Sequence, residues 1–144
     1  MRGRRAERRS VAKLALIAGS LAALGGCGLN VQSPDLFLIT RAGQGSRLTL
    51  LVNDAGTIRC NGSKPKPISD PMLIDARDLS QSLANDASSH LDLPAGTGTI
   101  FSFKIKLQQG TITFSDRDTT GHKVLAQAEL FTAQAAQQAC HLSG

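Results

Sequence analysis

Residues 35–144 predict an α+β fold, an antiparallel sheet of about five strands with two helices on one face in the order βββ-α-ββ-α. Three observations carry this expectation. Short segments rich in β-branched and aromatic residues alternate apolar with polar side chains; two longer segments place apolar residues at three- and four-residue spacing; and the links between adjacent strands are short enough for antiparallel hairpins. Strands with one polar face need only one covered side, which favours both helices packing together on the other.

The first three strands read as a meander. LFLITR is followed by the Gly-rich turn Ala42–Ser46, then RLTLLVN, the turn Asp54–Gly56 and TIRCN. In the third, Ile58 and Cys60 alternate with Thr57 and Arg59, so the cysteine faces the core. The first strand is apolar on both faces, with Leu36 and Leu38 on one side and Phe37 and Ile39 on the other. It is a central strand or one partly covered by the segment before it, or else Phe37 and Ile39 form a surface for a protein partner.

Pro65 and Pro67 hold residues 62–69 as an extended loop. Asp70-Pro71 then opens a helix, with Asp70 read as its N-cap. Met72, Ala76, Leu79, Leu83 and Ala87 line its buried face, and the helix ends near His90. Next, TIFSFKIKL puts Phe101, Phe103, Ile105 and Leu107 on one side and turns at Gln108-Gln109-Gly110 into TITFSD. The final helix, from Val124 to Cys140, carries the stripe Val124, Ala128, Phe131, Ala135 and Ala139.

Ahead of this domain stands a different grammar. Arg2, Arg4, Arg5, Arg8, Arg9 and Lys13 precede the apolar run Leu14–Leu24, which closes on Leu24-Gly25-Gly26-Cys27. A basic region, a short apolar stretch and small residues at the cut make a secretory signal, and the stretch is too short to span a bilayer. The closing tetrapeptide resembles the lipobox of bacterial lipoproteins, with Gly25 where Ala or Ser is commoner. That resemblance implies cleavage between Gly26 and Cys27 and a diacylglycerol on the Cys27 sulfur. It divides the chain into a signal peptide (1–26), a lipidated tether (27–34) and a single domain (35–144), anchored to the cell membrane and facing the extracytoplasmic side. The whole chain is similar to small lipoproteins of the actinobacterial type. Arg8-Arg9-Ser10-Val11-Ala12-Lys13 also resembles a loose twin-arginine motif, so the export route stays open.

With Cys27 committed to lipid, Cys60 and Cys140 are left in an oxidising setting and are expected to pair; two buried free thiols are the other reading. Charge is likewise reapportioned. The chain's formal +5 resides in the signal, and residues 27–144 balance their acids and bases. High pI therefore gives no support to nucleic-acid binding, and a chain without Trp or Tyr offers few stacking platforms.

The Gly-rich turn Arg41-Ala42-Gly43-Gln44-Gly45, the mid-chain helix and the closing FSFKIKLQQGTITFSD hairpin with its helix resemble in layout the emfourin family of protein inhibitors of thermolysin-type metalloproteases. The resemblance implies an inhibitory function but assigns no inhibitory residue here. Asp116-Arg117-Asp118-Thr119-Thr120 matches the D-x-D-x-T of haloacid-dehalogenase phosphatases and, with Gly121, the start of a Ca²⁺ loop. A phosphatase needs that motif after the first strand of a parallel sheet, and Gln127 stands where the Ca²⁺ loop needs its bidentate acid. A polar loop capping the last helix is the simpler expectation. No catalytic residue, metal site or cofactor is expected. The sequence thus favours a non-enzymatic, lipid-anchored envelope protein that binds a protein partner, with protease inhibition or a purely structural envelope role as alternatives.

Overall fold

A computed structural model describes residues 30–142, so the expected signal peptide, Gly26, Cys27 and the start of the expected tether lie outside the described residues. Six strands form one sheet: β1 Asp35–Gly43, β2 Ser46–Asn53, β3 Thr57–Cys60, β4 Lys66–Pro67, β5 Ser102–Lys106 and β6 Thr111–Ser115. Their spatial order is β4-β3-β2-β1-β5-β6, with every neighbouring pair antiparallel. Helices α1, Asp70–Ser88, and α2, Lys123–Gln138, complete the α+β layout.

The central position of β1 explains its doubly apolar character. Ile39 lies opposite Leu50 on one side and Ile105 on the other, beneath the helices, and Phe37 meets the α2 residue Phe131 edge-on at 5.5 Å between ring centroids. Phe37 and Ile39 are 0% exposed. The expectation of a partner surface at these two residues is therefore corrected: they are core, because strands flank β1 on both edges and a helix layer covers that face. Leu38 points the other way, in register with Leu51 and Lys106, and is also buried.

The sheet has one strand more than the sequence suggests. Lys66–Pro67, read as loop, pairs with Ile58 and Thr57 of β3. Proline lacks an N–H, so this strand is short and occupies the sheet edge, where one side needs no partner. Opposite, β5 and β6 form the expected hairpin, with Phe103 stacked on its register partner Phe114 at 4.9 Å. Its turn presses against the end of α1: a Cβ at Gly110 would collide with the Ala87 carbonyl oxygen and the His90 ring.

In α1 the buried face is Met72, Ala76, Leu79, Leu83 and Ala87, as the periodicity predicts. Its cap differs by one residue. Ser69, in extended conformation, accepts from the Met72 N–H at 3.4 Å, so Asp70 and Pro71 belong to the first turn. Replacing Ser69 with alanine should therefore cost about 1 kcal/mol in a urea melt. Asp70→Asn should cost less, since it removes only a charge favourable to the helix dipole.

Ala128, Phe131, Ala135 and Ala139 of the α2 stripe are buried, but Leu125 rather than Val124 begins it. Just beyond the helix, Cys140 forms a disulfide with Cys60 at the end of β3, with Cα atoms 5.9 Å apart. The bond joins the two layers near the β4 side of the sheet. Both half-cystines are nearly enclosed, so solvent has little access to the bond.

Candidate interaction surfaces

Two surfaces remain once the core is assigned, one on each layer. On the helix layer, residues at three- and four-residue spacing in α1, Asp75, Asp78, Leu79 and Ser82, face Gln127, Leu130, Phe131 and Gln134 of α2 across a groove of ≈ 320 Å³. Leu79 and Phe131 belong to the core and form its floor. Leu130, 58% exposed, stands on its wall, and Ile74, 55% exposed, directly precedes the groove's first acid. The groove has an apolar floor and wall with two carboxylates and no basic residue in its lining.

The sequence contained the signal for this groove. Ile74 and Leu130 are apolar residues lying off the buried stripe of their helices, and Asp75 and Asp78 fall on the polar side of α1. Only the packing of α1 beside α2 brings Asp75, Asp78 and Leu130 onto one groove.

The other surface is the sheet face turned away from the helices. Arg47 precedes the buried Leu48; Arg59 lies between buried Ile58 and Cys60; Lys104 and Lys106 alternate with buried Phe103 and Ile105. Strand alternation therefore points all four basic side chains outward. Arg41, in register with Leu48 and Phe103, belongs to the helix side, where its guanidinium lies 4.9 Å from the Phe101 ring centre.

The loop after β6 has a structural role. Both Asp116 carboxylate oxygens accept from the Ile100 N–H, at 3.3 and 3.2 Å, and Asp118 accepts from the Ser115 N–H and hydroxyl at 2.7 and 2.8 Å. These acids brace the β5–β6 hairpin and a short 3₁₀ turn at Asp118–Thr120. They do not cap α2 as the sequence suggests: its N-cap, His122, makes no side-chain capping bond. His90 and His141 occupy left-handed backbone positions just past the two helices.

Among the described residues, no three or more His, Cys, Asp or Glu side chains gather where they could hold a metal ion. No described helix is long and apolar enough to cross a membrane. Of the residues singled out from sequence, Cys60 and Cys140 are joined, Phe37 and Ile39 are buried together, and Gly26 and Cys27 lie outside the described residues. Comparison with protein-family models, curated proteins and solved structures finds no match to this chain.

Proposed function

We propose that this chain is a non-enzymatic, lipid-anchored protein on the extracytoplasmic side of the cell membrane, and that it binds a protein partner through the groove between α1 and α2. The apolar run closing on Leu24-Gly25-Gly26-Cys27 carries the location. The groove supports the binding mode: exposed Leu130 beside Asp75 and Asp78 suits a partner segment that pairs an apolar anchor with basic residues. A disulfide-joined domain suits an oxidising compartment.

Crosslinking in intact cells, followed by capture of the lipoprotein, tests this reading. A discrete partner should be recovered with the natural chain and at least about tenfold less with Leu130→Asp. Leu130 is mostly exposed, so its replacement should move stability by no more than about 0.5 kcal/mol, separating lost binding from lost folding. Equal recovery with both chains contradicts the groove, and turnover of a small substrate by the purified protein contradicts the non-enzymatic assignment. Stoichiometric slowing of a thermolysin-type protease would identify the partner class as a protease.

A further inference from the structure

We propose that the sheet face opposite the helices rests on anionic phospholipid headgroups of the bilayer that holds the chain, so that the helix groove is presented outward. This inference depends on the Cys27 anchor proposed above. It begins from charge. Residues 27–144 are formally neutral, yet the fold separates the signs. Strands β2 to β6 contain no Asp or Glu, whereas α1 carries Asp70, Asp75, Asp78 and Asp86 against the single base Arg77, which is paired with Asp54 at 2.7 Å.

Strand register gives the basic face its form. Lys106, Leu38, Leu51 and Arg59 make one row across β5, β1, β2 and β3, with apolar residues in the middle and a cation at each end. At ~4.8 Å per strand those cations are spaced ~14 Å apart across a broad surface. Lys104, Thr40 and Thr49 form the next row, and Arg47 extends the field at the end of β2. Among the described residues these four bases have no carboxylate within 4.0 Å.

The acids on this side lie at the ends and outer edge of the strands, Asp35 lining one cleft with Leu51 and Arg59. Asp35 accepts from Asn53 Nδ2 at 3.0 Å and the Gln32 N–H at 3.3 Å; Asp92 bridges to Thr113 at the outer edge; and Asp118 is held by Ser115. An array of cations separated across four strands suits an extended anionic surface better than a single small anion, which would require them to converge.

The tether supplies the second, independent observation. Asn30, Val31 and Gln32 lie beside Lys106 and Thr111 at one corner of this face. Cys27 is only three residues before Asn30, a reach of ~10 Å when extended. A lipid on Cys27 would hold that corner close to the headgroups, at a distance comparable with the ~8 Å screening length of physiological salt. There each basic residue favours the anionic surface roughly fivefold, and the acidic helix layer is disfavoured. These biases turn the sheet toward the bilayer.

Lysine acylation of the full lipid-modified protein, reconstituted in phosphatidylglycerol or phosphatidylcholine vesicles, tests the orientation. Peptide mass spectrometry should find Lys104 and Lys106 at least about fivefold slower to react on phosphatidylglycerol than on phosphatidylcholine. Lys123 should be unchanged, and about 0.5 M salt should erase the difference. Replacing Arg47 and Arg59 with glutamate should reduce the protection while leaving both reporter lysines in place. Equal rates on the two lipids, with the protein still floating with the vesicles, overturn the inference and leave the anchor intact. Protection that instead requires added envelope protein, or that grows with protein density on phosphatidylcholine, assigns the face to a protein partner or a second copy and also overturns it. Failure to float with either vesicle removes the anchor and the inference together.

Discussion

Replacing Cys60 and Cys140 together with alanine is expected to cost about 4–5 kcal/mol of stability, because the bond closes a loop with a sequence separation of 80. The chief effect is on the unfolded chain, which without the bond recovers the freedom of that loop. A domain of this size has roughly 5–15 kcal/mol in total, so the loss is a large share of it. In thermal melts the midpoint should fall by about 15–25 °C relative to the oxidised protein. Replacing both cysteines avoids a lone thiol that could form mixed disulfides. A fall of less than about 5 °C would mean that the layers hold together without their covalent joint, and that the unfolded chain is already compact.

Phe37→Ala is expected to cost about 3–5 kcal/mol, comparable to the disulfide but for a different reason. Phe37 is fully buried against Phe131, and truncation removes both its apolar burial and the edge-on contact while leaving a void between β1 and α2. The same position distinguishes two roles that its sequence leaves open. A core residue should lower the urea midpoint sharply, whereas a surface anchor would leave the midpoint in place and reduce partner capture. Leu130→Asp should show the opposite pattern. Exchanging these outcomes between the two variants would move the partner surface from the helix groove to β1.

Periodicity located the elements because burial on one face imposes it. Met72, Ala76, Leu79, Leu83 and Ala87 are recognisable before any coordinates are known, as are the alternating residues of β5 and β6. Cysteine usage likewise anticipated the bond between Cys60 and Cys140, with lipidation of Cys27 as its premise. Lys66–Pro67 leaves no such mark in the sequence, because a two-residue edge strand has no periodicity and its pairing depends on where β3 lies. Ser69 and Asp70 are both competent capping residues in adjacent positions, and only backbone geometry chooses between them.

Surface function was less legible for a related reason. Net charge sums over the chain and hides its direction, so a neutral composition concealed bases on the sheet and acids on α1. The sequence leaves Phe37 and Ile39 open between core and partner surface; β5 on the far edge of β1 and the helix layer over that face make them core. Neither the β1–β5 pairing nor the α1–α2 groove follows from local sequence, because each brings together residues far apart in the chain.

The decisive measurement is the intact mass and N-terminal residue of the protein isolated from the membranes of cells that produce it, made alongside a Cys27→Ser variant. The account predicts a chain beginning at Cys27 with a diacylglycerol-sized addition on its first residue, partitioning into detergent, and a variant that carries no such addition. A natural chain that begins elsewhere, or begins at Cys27 without lipid and remains in the aqueous phase, would contradict the lipid anchor on which the proposed function rests.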